Sequence, residues 1–431
     1  MKKSLLIILS LLFTVLLVAG CKRHTEEEVS PKDLYYDIER MQIDMRTSIL
    51  RDFYDPEPFE QLKKEVMEGK INRLECVFRL QEILKGYKCM HLALHPVDSS
   101  ALFSNIAPFF FYCYGEDYHV NLTLAKYKKY LGWKLVKIGD SSAKDACQKL
   151  SRYSVYSYET QSGVKYCLES SISYLILQAV GLVQKNGKIS FTFEDLDGNT
   201  ETVLCKPVLN TSKQKWFYKS RENQDRVVVH NDMYTPYLIK TDADRKTVYM
   251  QYNSCKDNVE YSLTTWFSQL MTELNSGSYD TVVFDLRYNG GGTIASEITL
   301  NHLLYKNKEE LEKYNLAIIE TGRSYSCACR VLDDFIRNYP NLVIFGEETG
   351  QAVFNYTNVS SNNYLKKLNC YFVYPNELDE VPDLYRRARE VTHTDVHCGT
   401  FPDVAAHETY EEWLRGEDGI YNAIYDYFAG V

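Results

Sequence analysis

From residue 247 onward, short apolar runs alternate with stretches of helical spacing. VYMQY (248–252) precedes LTTWFSQLMTEL (263–274), and TVVFDL (281–286) precedes ASEITLNHLL (295–304). LAIIE (316–320) precedes VLDDFIRNY (331–339), and LVIF (342–345) follows. Strands that alternate with helices predict an α/β fold: a largely parallel sheet whose strands are joined by crossover helices. In such sheets ligands meet the loops at the carboxyl ends of the strands. The residues that end these strands are therefore the first place to look for chemistry.

Two of those ends are unusual. VVFDLRYNGGG (282–292) runs a buried strand into three consecutive glycines before a helix. Without Cβ atoms, such a turn can present bare amides to an oxyanion or a phosphate. Gly290-x-Gly292-x-x-Ala295, with Glu320 ending the next strand, also has the outline of a dinucleotide fingerprint. Against that reading, Asp285-Leu286-Arg287-Tyr288-Asn289 separates strand from glycines, where the fingerprint requires them to be contiguous. No Gly-Lys-Ser/Thr follows the glycines, so a Walker A loop is excluded. ETGRSYSCACRVLDDF (320–335) ends a strand in a polar turn and starts a helix near Ser326. A serine there has the positive end of a helix beside it. It is either a reactive hydroxyl or, with Ser324, a plain helix cap. NLVIFGEETGQ (341–351) is a third buried strand, ending in an acidic loop.

Upstream, residues 33–86 carry apolar spacings of three and four, with Leu34, Ile38, Met41, Ile43 and Met45 first, broken at Asp55-Pro56-Glu57-Pro58. HLALHP (91–96) alternates like a strand. Residues 101–230 read as mostly β with at least one helix. There, Asp197-Gly198-Asn199 marks a hairpin, the serines before AKDACQKL can cap a helix, and 211–226 is polar enough for a linker.

The N-terminus reads as a leader. Lys2 and Lys3 precede an apolar run from Leu5 to Ala19 and then Gly20-Cys21, the n-region, h-region and cleavage site of an export signal. Val18-Ala19-Gly20-Cys21 resembles a bacterial lipobox. That resemblance implies a lipidated Cys21 and a membrane partner reached through acyl chains rather than a spanning helix. A net charge of −9 argues against non-specific nucleic-acid binding. The twelve cysteines contain no CxxC pair, and Cys327 and Cys329 lack zinc-site spacing. No metal or organic cofactor is implied, and buried thiols or unassigned disulfides account for the rest.

DLRYNGGG, SYSCAC and GEETGQ, in that order, resemble the C-terminal processing (tail-specific) peptidase family. The likeness is closer to its branch related to the tricorn core and the interphotoreceptor retinoid-binding repeats. VYMQYNSC (248–255), FPDV (401–404), YEEWLRGEDGIYNAI (410–424) and KYLGWKLVKIGD (129–140) resemble further family segments. The resemblance implies a crotonase-like β/α catalytic domain over residues 231–431. It also implies a PDZ-like or cap β-rich region over 98–230, while the helical spacing predicts an N-terminal helical region over 35–97 and the N-terminal pattern a signal peptide over 1–20 and a tether over 21–34. It further implies Ser326 as nucleophile, with the Gly291 and Cys327 amides as oxyanion donors. Ser-Lys members carry a lysine where Gln351 stands, and an amide is no base at neutral pH. The tricorn-like branch uses a histidine from the N-terminal part, which makes His91 the expected base and His95 the reserve. Asp395 is the expected carboxylate behind the histidine. The chain is thus expected to be a surface-anchored serine endopeptidase-like hydrolase with peptide or protein substrates. The alternative is an inactive lipoprotein of the same fold that binds peptides or apolar ligands.

Overall fold

The structure is a computed structural model. It describes residues 29–431 except 88, 90, 98–101, 154–159, 171, 221–234, 352–353 and 381–398. The expected leader, Cys21 and Asp395 lie outside the described residues. Among the described residues no helix is long and apolar enough to cross a membrane.

The alternation at the C-terminal half builds a six-stranded sheet. Its order is Tyr237–Asp242, Thr247–Tyr252, Thr281–Asp285, Asn315–Glu320, Val343–Gly346 and Val404–Ala405. The first pair is antiparallel and every later pair is parallel. Successive side chains on a strand face opposite ways, so a continuous apolar run needs cover on both sides. Val282, Phe284 and Ile318 pack on one face against Trp266, Leu300, Val331 and Phe335 of the crossover helices. Val283, Ala317, Ile319 and Phe345 pack on the other face against Ile420, Tyr421 and Ile424 of the helix Gly419–Ala429.

Residues 105–218 hold a seven-stranded antiparallel sheet around Phe109, Phe111, Phe191 and Phe193. The hairpin at Asp197-Gly198-Asn199 is present: Ile189–Glu194 pairs with Thr200–Cys205, and Gly198 takes φ +82°. Ser142 caps the helix Ala143–Ser151 by accepting from the Asp145 amide at 3.1 Å. The expected linker is partly structured, because Trp216–Tyr218 forms an edge strand on Leu122–Leu124.

The N-terminal helices Pro31–Thr47, Glu57–Met67 and Arg73–Lys85 bury Leu34, Ile38, Met41 and Met45. Ile43, read into the same stripe, is exposed, since it falls off the 3.6-residue period of the other four. These helices pack on a feature that local pattern did not reveal. The long strands Phe354–Leu365 and Cys370–Glu380 pair with each other, and the second also pairs with Ala93–Pro96. Leu365, Leu368 and Phe372 join the helical core through that sheet. The C-terminal half thus reaches back to hold the strand that follows His91. The ten described cysteines are buried, and no disulfide joins any two of them.

Helices Ile294–Lys306 and Cys327–Asn338 meet across buried Glu297 and Asp334. Burial and the bond to Glu297 push the Asp334 carboxyl up to about 8, while Arg337 at 3.4 Å and neighbouring Asp333 act in opposite senses. The native chain therefore holds a proton that the unfolded chain releases once pH exceeds its ordinary carboxylate value, and stability falls as pH rises through this window. Melting temperature is expected to decline from about pH 5 to about pH 8, and Asp334→Asn is expected to flatten that decline. An identical slope in the variant counts against the shared proton.

Candidate active site

The sheet puts its strand ends side by side. Asp285 and Ile319 are paired neighbours, as are Glu320 and Gly346. The three turns singled out in the sequence therefore converge on one edge of the sheet.

Ser326 is the N-terminal boundary residue of the helix Cys327–Asn338, but it is not a cap. Its side chain makes no capping bond, and its backbone sits at φ +56°, ψ −125°. That region is costly for any residue with a Cβ and persists only where surroundings enforce it. Ser324 is not a cap either. Its hydroxyl donates to the Leu286 carbonyl at 2.9 Å and accepts from the Thr321 amide at 3.1 Å, which locks the turn from inside. A sharp strand–serine–helix turn of this kind displays a hydroxyl at the end of a sheet.

Three groups enforce the strain. Gly291, at φ +95°, lies against the serine, where an added Cβ would sit 2.6 Å from Ser326 Cβ and 2.9 Å from the Cys327 nitrogen. Asn289, wholly buried, takes the Tyr325 amide on its carbonyl at 2.9 Å. Gln351 accepts the Ser326 N–H on Oε1. The residue at the lysine position is therefore a backbone anchor beside the serine. Neither Asn289 nor Gln351 was assigned a part from sequence. Asn289 stood within the quoted motif, but the partner of its carbonyl was not legible there.

His91, half-buried, brings Nε2 to 3.4 Å from Ser326 Oγ. The other ring nitrogen, Nδ1, lies 3.4 Å from the Tyr325 hydroxyl. His95, the reserve, sits opposite Tyr371 in the strand Ala93–Pro96, and burial draws its pKa below the usual imidazole value. The hydroxyl thus has His91 rather than His95 as its histidine partner.

The expected oxyanion donors differ from one another. The Ala328 and Cys329 amides are taken up by the Tyr325 and Ser326 carbonyls at 3.1 and 2.9 Å, which leaves the Cys327 N–H as the leading amide of its helix. The Gly291 N–H, expected to point at an oxyanion, instead donates to Asn289 Oδ1 at 2.9 Å. The Cys327 thiol, pushed well up by its contact with Cys255 and by burial, donates to the Thr293 carbonyl at 3.4 Å. Gly291 and Gly292 are used against protein, not against a phosphate: at Gly292 an added Cβ would stand 2.2 Å from the Cys255 carbonyl oxygen. That contact removes the structural basis for the dinucleotide outline.

The turn is anchored behind by charge. Arg287 is fully buried, with Nε 3.0 Å from Asp285 and Nη1 at 2.6 Å from Glu408 and 2.9 Å from Asp418. Asp418 also caps the helix Gly419–Ala429, accepting from the Ile420 and Tyr421 amides. On the other side Arg323 forks onto Glu169 at 2.8 and 2.6 Å and lies 3.9 Å over the Tyr166 ring. Lys165 meets Glu347 at 2.5 Å. The antiparallel β region is thereby docked onto both loops that flank Ser326.

Comparison with solved structures places this arrangement among known folds. The chain superposes on mature CPAF complexed with lactacystin with a TM-score of 0.60 at 9% identity, covering 93% of this chain and 97% of that one. Mature CPAF alone gives 0.58 at 10% identity, covering 91% and 96%. The photosystem II D1 C-terminal processing protease aligns over 86% of this chain and 92% of that one at 10% identity, with a TM-score of 0.39. These structural neighbours are all in the C-terminal processing peptidase family. No protein-family model matches the sequence, and no curated protein matches it. The mixed α/β architecture with several sheets is similar to that of CPAF.

Two substitutions test this construction. Arg287→Leu strands Asp285, Glu408 and Asp418 without their cation, and a loss of about 3–5 kcal/mol is expected in urea unfolding. Gly290 has open space where a Cβ would go. Gly290→Ala is therefore expected to stay within about 0.5 kcal/mol of the parent, while Gly291→Ala costs about 2–3 kcal/mol through clash and strain. Equal effects of the two alanines would show that the glycine turn does not press on the serine.

Proposed function

We propose that the chain is a serine-type endopeptidase held at the bacterial cell envelope by a lipid on Cys21. In this reading the six-stranded layer is the crotonase-like catalytic domain, and the antiparallel β region is the PDZ-like or cap region that receives the substrate chain. The observation that carries the reading is Ser326 itself: a strained, non-capping hydroxyl at a helix N-terminus with an imidazole nitrogen 3.4 Å away. A serine needs a base to become a nucleophile, and catalytic contacts are commonly this long before substrate binds. The CPAF fold and the protease neighbours support the reaction class.

The steps follow from the atoms present. His91 Nε2 takes the Ser326 hydroxyl proton as Oγ bonds to the scissile carbonyl carbon. The carbonyl oxygen becomes an oxyanion at the helix N-terminus, where the Cys327 N–H receives it. One such donor is worth about 3 kcal/mol in the transition state. The imidazolium then gives its proton to the leaving amine, and the C–N bond breaks to leave an acyl-serine. Water, giving a proton to the same imidazole, then bonds to the acyl carbon; the Oγ–C bond breaks, the imidazolium returns its proton to Ser326 Oγ, and the acid is released. Gln351 moves no proton; it holds the serine backbone. Gly291 contributes close approach, with its own N–H committed to Asn289.

A fluorophosphonate probe tests the proposal. The full chain is expected to be labelled at Ser326, with labelling abolished in Ser326→Ala and slowed about a thousandfold in His91→Ala. Folded protein that stays unlabelled across the neutral and alkaline range favours a non-catalytic binder of the same fold.

A further inference from the structure

The contact on the far side of the imidazole was not foreseen from sequence. We propose that Tyr325, the residue immediately before the nucleophile, is the positioning residue for His91, its phenol oxygen accepting the Nδ1–H. This inference rests on the serine-peptidase reading and deepens it.

The two ring nitrogens of His91 each face a hydroxyl, and the two hydroxyls belong to consecutive residues, with Ser326 Oγ at Nε2 and Tyr325 Oη at Nδ1, both 3.4 Å. In extended chain, neighbouring side chains point to opposite faces. The φ of +56° at Ser326 breaks that alternation, so both side chains reach one ring. The strain that presents the nucleophile therefore also delivers the group behind the base. Tyr325 is well fixed for the task. Its side chain is buried, its N–H is held by the Asn289 carbonyl at 2.9 Å, and its carbonyl takes the Ala328 amide at 3.1 Å. Its ring centroid stands 5.5 Å from that of His91, tilted 38°.

The chemistry selects one tautomer. To accept the serine proton, Nε2 must carry the lone pair, so the ring proton sits on Nδ1 and needs an acceptor. A phenol oxygen provides one without bringing a charge into a buried place. When Nε2 takes the serine proton, the Nδ1–H bond to Tyr325 strengthens, and both protons stay where they are until the leaving amine collects the one on Nε2. The phenol remains protonated throughout. A neutral acceptor steadies the imidazolium less than a carboxylate does, so its removal is a smaller loss than that of an acidic partner.

The test is the pH profile of fluorophosphonate labelling in the full-length chain. Tyr325→Phe is expected to fold as the parent does and to label about tenfold more slowly, the effect of one neutral hydrogen bond. Without the phenol oxygen on Nδ1–H the imidazolium is less favoured, so the acid limb of the profile is expected to move down by about half a pH unit. An unchanged rate, or a slower rate with an unmoved limb, overturns the positioning role and leaves the peptidase reading standing. A limb moved by Asp395→Asn but not by Tyr325→Phe also overturns it, and identifies a carboxylate as the orienting group. If the parent chain is not labelled at all, both readings fail together. Should Tyr325→Phe not fold, ¹⁵N-histidine spectra of the parent, with His91→Gln as the subtraction, decide the matter. A neutral Nδ1–H tautomer is expected, and an Nε2–H tautomer overturns the proposal.

Discussion

The site depends on one backbone conformation. Ser326 sits where a residue with a Cβ does not rest by choice, and its own helix gains no side-chain cap from it. A cost of order 1–3 kcal/mol is carried by neighbours that leave the chain no alternative. Gly291 presses on one side, Asn289 holds the preceding amide, and Gln351 holds the serine's own N–H. They come from two strand ends, Asn289 and Gly291 after Thr281–Asp285 and Gln351 after Val343–Gly346, so the strain is enforced only once the parallel sheet has formed. In return the hydroxyl is freed from local bonding and turned toward His91.

Two arginines, Arg287 fully buried and Arg323 largely so, connect this conformation to the rest of the chain. Arg287 gathers Asp285 from its own strand with Glu408 and Asp418 from the C-terminal segment. A cation with no exposure is tolerated only because carboxylates surround it, and they are tolerated because of it. Arg323 serves the second turn, forked onto Glu169 and stacked on Tyr166 of the antiparallel region. The glycine turn is thus tied to the C-terminal segment and the serine turn to the antiparallel region. His91 arrives by a third route, through the strand Ala93–Pro96 and its pairing with Cys370–Val373. Buried apolar contacts of Leu92 and Leu94 with Leu365 and Phe372 fix that strand.

Local pattern revealed much of the scaffold. The apolar runs of TVVFD and NLAIIE, filled on both faces, announced a covered parallel sheet, and the hairpin at Asp197-Gly198-Asn199 was legible from turn chemistry alone. Ile43 misled because it falls within a helical run but off its buried stripe. The residues around 216–218 misled because an edge strand of three residues carries too little periodicity to separate from a polar linker. The long pair 354–380 was missed for another reason. Its partner, 93–96, is more than 270 residues away, and no local spacing encodes which distant strand a sheet edge will accept.

By itself the sequence determined which residues could act. A hydroxyl at a strand-to-helix junction, glycines at a neighbouring junction and a histidine before a short strand are properties of residue type and local period. It also determined that the residue at the lysine position, an amide, takes up no proton. What Gln351, Asn289 and Tyr325 do instead was decided only in three dimensions. So was the loss of the Gly291 N–H to a side chain. Hydrogen bonds are short-ranged and directional, and their partners are set by which strand ends the sheet brings side by side. That adjacency belongs to the tertiary fold, because chain distance does not encode it.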